Sequence, residues 1–368
     1  MTSAAVVAAP EQRLAAGGRL PFVGWLRVVA IAAVVLVHAS GPVAVRTDLR
    51  GTPVWYVASV FNGGTRWCVP LFVVVSGALL LQPRTMASGI GSFYRRRMVR
   101  LLPALVFWHV AYLVFRVVVR GQTLTPSGVV RDLLTGNVYT AMYFFWLILG
   151  LYLVAPFLWR VVDGLPQRTW LFLGLGLVAA ASAWLTTMTF LGGLDAGVRQ
   201  GTATVWTLWI PYVGFFVLGG ALARRPPSRR EGLWGAVAFV VATSITVLER
   251  AGYGPDWVRT VSPPGYSSWL VAVSTIGLWL AAAWFCREGT LLARGRLGAL
   301  GERLGALTLG VFGVHLMVLY GLGRWLAPGL SDGSIRLPAF LAVVVGTLVL
   351  SWAAAWAMSK VPLLRRVV

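Results

Sequence analysis

Long apolar segments recur along the whole chain and constrain its fold more than any other feature of the sequence. Of the 368 residues, 58% are hydrophobic and 12% are charged, whereas soluble domains usually carry about 25% charged residues. Apolar runs of about 18 residues or more can cross the roughly 30 Å hydrocarbon core of a bilayer as helices. We therefore predict an all-α, polytopic membrane protein with about ten transmembrane helices.

The spans divide the chain into a cytoplasmic N-terminal tail (1–21), a transmembrane domain (22–358) and a cytoplasmic C-terminal tail (359–368). The predicted spans are 22–43, 66–83, 99–119, 141–160, 169–190, 204–223, 233–249, 267–286, 307–326 and 337–358. Before the second span, 54–62 is predicted as a short helix. The sequence Asn62-Gly63-Gly64-Thr65 after it predicts a break between two half-helices.

The net charge of +21 comes from 32 basic residues, of which Lys360 is the only lysine. Most lie in short loops between apolar runs, which indicates topology signals rather than a nucleic-acid groove. With the N-terminus inside, the inner segments hold 20 basic residues and the outer segments 11, and Arg27 lies at the start of the first span. This bias predicts that both termini are cytoplasmic in a multi-pass protein of the cell membrane.

Other sequence signals add little to this topology. The first twenty residues lack the basic start and short apolar core of a signal peptide. Cys68 and Cys286 lie in apolar runs, so we expect buried thiols rather than a disulfide. The outer segment 250–266 is rich in Gly, Pro and aromatic residues, and it is either an interfacial aromatic belt or a cap over a substrate cleft.

All eleven acidic residues lie in predicted loops or at span ends. Ionisable groups inside a membrane are costly and are therefore functional candidates, but no carboxylate lies at mid-membrane. This pattern disfavours a proton-coupled transporter, catalysis by two carboxylates and a carboxylate-bound metal. We predict no metal site.

Arg27 and His38 lie eleven residues apart in the first predicted span. At 100° per residue, eleven steps return to within about 20° of the same helix face, after a rise of about 16 Å. One helix would carry a cation near the inner surface and an imidazole deep in the membrane. The alternative is a snorkelling arginine and a histidine that only packs between helices.

A basic cluster lies at the inner mouth of the third span and comprises Arg95, Arg96, Arg97 and Arg100. Guanidinium groups there could bind the phosphates of a nucleotide-like donor. The same charges could equally fix topology or bind lipid headgroups.

Six segments, taken in order, resemble the acyltransferase 3 family of membrane-bound, acyl-CoA-dependent O-acyltransferases. The matching segments are Arg27 with His38, Val69–Phe72 with Ser76-Gly77, Tyr94–Pro103, Gly150–Leu153 with Pro156, 215–225 and 304–319. The resemblance covers roughly residues 20–358. The last segment is similar to the family's Ser-x-Gly-x-Tyr-x-x-His pattern, which maps its histidine onto His315.

The chain departs from the family pattern at four positions. Gly24 stands where the family often has Asp, and Ala141 where related members often have His. Thr308 and Phe312 replace the Ser and Tyr of the ninth span. These departures put the acceptor specificity in doubt but leave the Arg27–His38 pair intact. His109 matches no family position and is expected to be a packing residue or to face a pore.

The resemblance implies an O-acyltransferase, an enzyme that transfers groups other than amino-acyl groups, in a bacterial inner or plasma membrane. It would move an acyl group, commonly acetyl, from acyl-CoA to a hydroxyl of a glycan, a lipid-linked sugar or a secondary metabolite. The acceptor would be presented from the extracytoplasmic side. The implied partners are acyl-CoA as co-substrate, a hydroxyl-bearing acceptor and the bilayer, with no bound cofactor and no nucleic acid.

Site roles follow from the same resemblance. Arg27 and His38 would be catalytic, with His38 as general base or as a covalent acyl carrier. The four arginines of the basic cluster would bind acyl-CoA, and His315 and Ser76 are secondary candidates. The alternatives are a transporter or flippase for a lipid-linked sugar or small molecule, and a structural membrane scaffold.

Overall fold

The computed structural model describes residues 20, 22–194, 203–287, 289–327 and 336–368, and these residues form helices and connecting turns without strands. The predicted N-terminal tail, 1–21, lies outside the described residues except for Leu20. The main helices are α1 (Phe22–Ala44), α2 (Pro53–Gly64), α3 (Cys68–Leu80), α4 (Ile90–Val118), α5 (Pro126–Leu134), α6 (Tyr143–Val162), α7 (Gln167–Leu194), α8 (Val213–Leu222), α9 (Arg229–Arg250), α10 (Asp256–Val261), α11 (Trp269–Phe285), α12 (Gly295–Ala306), α13 (Thr308–Leu326) and α14 (Leu337–Lys360).

The all-α, polytopic prediction is confirmed. Among the described residues, eight helical segments are long and apolar enough to cross a membrane, with α2 and α3 counted together as Pro53–Leu80. Two shorter apolar helices, Ile210–Leu222 and Trp269–Phe285, occupy the predicted spans 204–223 and 267–286. Each predicted span therefore contains a helix, although the two shorter helices fall short of a full crossing length and α3 reaches it only together with α2.

Several helices begin where the sequence supplies a capping group. At the start of α2, the Thr52 hydroxyl accepts a hydrogen bond from the Trp55 backbone N–H, and Pro53 takes the first helical position. At the start of α9, the Ser228 hydroxyl accepts from the Glu231 N–H while the Glu231 carboxylate accepts from the Ser228 N–H. This reciprocal capping box pairs backbone donors that the first helical turn leaves free.

The predicted break after α2 is present, since that helix ends at Gly64 and α3 starts at Cys68. Asn62, which is 2% exposed, fixes the end of α2 against α1. Its side-chain nitrogen donates to the Val37 carbonyl (3.2 Å) and lies 3.5 Å from the Ser40 hydroxyl. The break therefore lies at the level of residues 37–40 of α1.

Glycines bring α3 and α8 into direct backbone contact. A Cβ added at Gly77 would overlap the Phe216 carbonyl oxygen, and one added at Gly219 would overlap the Val74 carbonyl oxygen. Small residues permit such close approach of membrane helices. This contact fixes α3, which carries Cys68 and Ser76, against the centre of the bundle.

Helix α1 lies at the centre of the helices that form the site, because it packs against α2, α3, α12, α13 and α14. The segment after α14 folds back onto the bundle, where Val367 is buried and its carbonyl accepts a hydrogen bond from the Trp108 indole N–H (3.0 Å). The two cysteines are free and buried, as predicted.

Candidate active site

Two histidines from distant parts of the chain meet inside the bundle. The ring centroids of His38, on α1, and His315, on α13, are 5.3 Å apart, with the ring planes tilted by 46°. His315 is fully buried, whereas His38 is partly accessible. The sequence made His38 a primary candidate and His315 a secondary one, and the fold brings them together.

The hydrogen bonding of His315 defines its tautomer. Its Nδ1 lies 2.7 Å from the Phe312 carbonyl oxygen, which can only accept, so Nδ1 carries the proton. The other ring nitrogen, Nε2, is buried and has no hydrogen-bond partner among the described residues. An unpaired buried acceptor is costly, which makes Nε2 a candidate to receive a proton donor from a ligand or from His38.

A small cavity lies beside His38. Its volume is about 10 Å³, which is room for about one water molecule. The lining residues are Val34, Val37, His38, Cys68, Val69, Phe72, Ala141, Tyr143, Phe144, Tyr266 and Phe312. The His38 imidazole is thus one of the few polar groups in a mainly apolar and aromatic enclosure.

The third histidine, His109, has a different environment. Its Nδ1 pairs with the Leu105 carbonyl (2.7 Å), and its Nε2 accepts from the Trp146 indole N–H (2.9 Å). Both ring nitrogens are therefore used within the protein. This favours the first of the two alternatives predicted for His109, packing rather than facing a pore, and distinguishes it from His315.

Arg27 lies on the same unbroken helix as His38, about two turns before Val34, where the cavity-lining residues of α1 begin. Its guanidinium interacts electrostatically with Tyr152 on α6 and with Arg97 and Arg100 on α4. The Arg97 Nε is buried without a hydrogen-bond partner. We call this set of Arg27, Arg97, Arg100 and Tyr152 the Arg27 group.

The structure divides the predicted four-arginine cluster. Helix α4 begins at Ile90, before the predicted span, so all four arginines are helical. Arg97 and Arg100 are three positions apart and share a face. Arg95 is exposed, and Arg96 donates to the Thr85 carbonyl (3.2 Å) and the Ser88 hydroxyl (2.5 Å). Arg96 therefore anchors the preceding segment. It interacts electrostatically with Arg97 but makes no hydrogen bond to a member of the Arg27 group among the described residues.

Ser76 does not present its hydroxyl to the histidine pair. The hydroxyl donates to the Phe72 carbonyl (2.8 Å) one turn earlier on α3. Its neighbour Gly77 makes the backbone contact with α8 described above. The Ser-Gly pair is therefore accounted for by helix geometry and packing.

A second polar group, which had no predicted site role, lies at the break between α2 and α3. Arg66 Nη2 (2.5 Å) and Arg250 Nε (3.1 Å) both donate to the Asn62 side-chain oxygen. The Arg66 guanidinium carbon lies 5.5 Å from the Tyr266 ring centroid, and Tyr266 lines the His38 cavity. We call Asn62, Arg66, Arg250 and Tyr266 the Arg66 group.

Two sequence signals could have revealed this group. Arg66 lies three residues before the Val69–Phe72 motif, and Tyr266 ends the aromatic outer segment 250–266. The aromatic residues of that segment differ in their exposure: Tyr266 lines the cavity, whereas Tyr253 and Trp257 are exposed.

Two departures from the family pattern have structural explanations. At Gly24, an added Cβ would come within 2.8 Å of the Gly301 carbonyl on α12, so an aspartate would not fit there without movement. At Phe312, the ring packs 5.3 Å from Phe144 and 5.8 Å from His315. An apolar ring thus closes one wall of the cavity.

A helical membrane bundle with an internal histidine pair and arginines on two sides of it defines an intramembrane active-site candidate. The acyltransferase 3 family model, described as an acyltransferase domain, matches residues 20–356. The chain therefore belongs to this family and is a membrane acyltransferase. No curated protein and no solved structure matches it.

Proposed function

We propose that the protein is an O-acyltransferase that moves an acyl group, most simply acetyl, from acyl-CoA to a hydroxyl of a glycan, a lipid-linked sugar or a secondary metabolite. The observation that carries the proposal is the His38–His315 pair, with ring centroids 5.3 Å apart and an unpaired buried nitrogen on His315. Reactive imidazoles are suited to deprotonating a hydroxyl, and this pair lies beside a cavity that admits little water.

In the proposed reaction, His38 is the general base. The acceptor oxygen attacks the thioester carbonyl carbon while the His38 imidazole takes the hydroxyl proton. The C–S bond then breaks, the acyl group stays on the acceptor oxygen, and the sulfur of coenzyme A leaves with the proton that His38 returns. General-base help of this kind contributes typically about 10²–10⁴-fold to the rate.

His315 is proposed as a positioning residue. With its Nδ1 proton committed to the Phe312 carbonyl, its Nε2 can accept a hydrogen bond from a His38 N–H. Such a bond would fix the His38 tautomer that leaves the other His38 nitrogen free for the acceptor proton.

The donor is proposed to enter at the Arg27 group. Arg27 lies eleven residues before His38, which is about 16 Å along a helix. An acyl-CoA molecule also separates its phosphates from its thioester, through the extended pantetheine arm. Phosphates held by Arg27, Arg97 and Arg100 would therefore allow the thioester to reach His38. The positive-inside bias supports a cytoplasmic position for this end of the bundle in the cell membrane.

The experiment that tests the function compares cells that produce the wild-type protein, cells that produce the His38→Gln variant and cells without the gene. Mass spectrometry of surface glycans and small metabolites should detect an added acyl mass with the wild-type protein alone. Acyl masses that are identical in all three strains would contradict the proposal, provided that the protein is present at equal levels.

A further inference from the structure

The Arg66 group concentrates positive charge on the side of His38 opposite to Arg27. Arg250 interacts electrostatically with Arg66 and with the buried Glu249, and Glu249 also interacts electrostatically with Arg259. Arg50 lies close by, since its guanidinium donates to the carbonyls of residues 251 and 252. Arginines therefore outnumber the one buried carboxylate of this region by four to one.

The hydrogen bonding of this group is incomplete. No ion pair joins Arg66 or Arg250 to a carboxylate in the part of the chain that the structure describes. Arg250 makes one side-chain hydrogen bond, through Nε to Asn62, which leaves both terminal nitrogens without a described partner. A guanidinium has five N–H donors in a planar fork that suits two oxygens of a phosphate or a carboxylate.

The Arg66 group also contacts the surroundings of His38. Asn62 bonds the α1 backbone at Val37, next to His38 in the sequence, and Arg66 interacts electrostatically with His38 itself. Tyr266 stacks with Arg66 and lines the His38 cavity. A molecule held by Arg66 and Arg250 would therefore lie beside the imidazole, on the side away from the proposed donor entrance.

We propose that Arg66 and Arg250 form the acceptor's anion-binding site, so that the acceptor is a hydroxyl compound that carries a phosphate or a carboxylate. The acceptor's negative group lies against the two guanidinium groups, and its hydroxyl reaches His38. This inference rests on the proposed acyl transfer, because it identifies the class of molecule that receives the acyl group.

The test measures anion binding, which does not depend on knowing the acceptor. Protein in phosphatidylcholine nanodiscs is titrated calorimetrically with inorganic pyrophosphate and, separately, with glucuronate. Arg250→Gln should weaken binding at least about tenfold, because it removes a charge-assisted contact. Arg131→Gln, on α5 at a side chain that is 76% exposed, should bind as the wild type does.

Several results of the titration would overturn the inference. Absence of binding to the wild type, or equal binding by Arg250→Gln, overturns it. Loss of pyrophosphate binding in Arg97→Gln alone would also overturn it, because the anion would then occupy the Arg27 group. If phosphatidylglycerol nanodiscs abolish binding, the group holds a lipid headgroup instead of an acceptor.

Two controls distinguish a loss of anion binding at Arg250 from a folding defect and from a loss of donor binding. Arg250→Lys keeps the charge and should retain weakened binding, so it remains informative if the Gln variant is unstable. Binding of coenzyme A is measured on the same samples. Its absence would contradict the proposed acyltransferase chemistry, whereas anion binding at Arg250 is judged separately.

Discussion

The rings of His38 and His315 lie with their centroids 5.3 Å apart, although one residue is in the first helix and the other is in the last but one. The contact depends on α13 packing directly against α1. His315 Nδ1 is committed to a backbone carbonyl, and its Nε2 has no described partner. One imidazole can thus be oriented by the other, while the partly accessible His38 faces the cavity.

His38→Gln should abolish acyl transfer while coenzyme A binding is retained. Glutamine is similar in size and forms hydrogen bonds, but it cannot take up a proton near neutral pH, so we expect a loss of at least about 10²-fold. The matched control is His109→Gln, because His109 uses both ring nitrogens within the protein. Near-normal turnover by His38→Gln, measured with labelled acyl-CoA, would rule out both the base and the acyl-carrier role.

His315→Phe should lower kcat and leave the KM for acyl-CoA unchanged. The variant removes the nitrogen proposed to orient His38, and one hydrogen bond to a group that becomes charged is worth about 1.5–3 kcal/mol, or roughly tenfold to 150-fold in rate. A purely structural role would instead lower the amount of folded protein without changing kcat per folded molecule. Steady-state kinetics on protein quantified by size-exclusion chromatography separates the two results.

Arg97→Gln should raise the KM for acyl-CoA, whereas Arg96→Gln should not. Arg97 belongs to the Arg27 group, and Arg96 is bonded to the loop around Thr85 and Ser88. We expect about a tenfold rise for the loss of one charge-assisted contact to phosphate. Equal effects of both substitutions in steady-state assays would show that the arginines act only through overall charge.

The helical membrane fold could be predicted from the sequence because apolar length is a local property. The sequence could not predict that two helices would be shorter than their predicted spans, because the residue at which each helix begins depends on local backbone geometry. Helix α8 begins only after a 3₁₀ turn at Ile210–Tyr212, inside the predicted span 204–223, and α11 runs from Trp269 to Phe285, inside the predicted span 267–286. Hydropathy does not distinguish such turns from the helix that follows them.

The candidate site was predictable in part. Arg27 and His38 share a helix, so their spacing was sufficient to place them on one face. The proximity of His38 to His315, and of Arg66 to Arg250, arises from helices that are far apart in the chain. The different roles of Arg96 and Arg97 were predictable in part. Once α4 is known to begin at Ile90, helix geometry alone places these two neighbouring side chains on different faces of the helix.

Gly77→Ala should destabilise the protein, and Gly176→Ala should not. An added Cβ at Gly77 would overlap the Phe216 carbonyl, whereas one at Gly176 meets nothing within 4 Å. Overpacking costs about 1–3 kcal/mol, while Gly to Ala in an open helical position contributes up to about 1 kcal/mol through helix propensity. Thermal unfolding in detergent should give a lower midpoint for Gly77→Ala alone. An unchanged midpoint would mean that α3 and α8 separate easily.

The predicted topology can be tested with single cysteines at exposed positions. Arg84 and Arg131 are both exposed, and the positive-inside bias assigns them to opposite sides of the membrane. Cys68 and Cys286 are buried and should react little. A membrane-impermeant maleimide added to intact cells should label Arg131→Cys and spare Arg84→Cys. The reverse pattern would invert the orientation, and with it the side from which acyl-CoA enters.

The size of the cavity beside His38 also bears on the fate of a bound thioester. A space of about 10 Å³ holds roughly one water molecule, and Phe312 and Phe144 close part of its wall. Neither an acyl chain nor an acceptor fits there unless the surrounding helices move apart. Closure of the helices after a thioester has entered would leave little room for water as a competing nucleophile. Loss of acyl groups to hydrolysis would therefore occur mainly while the helices are apart.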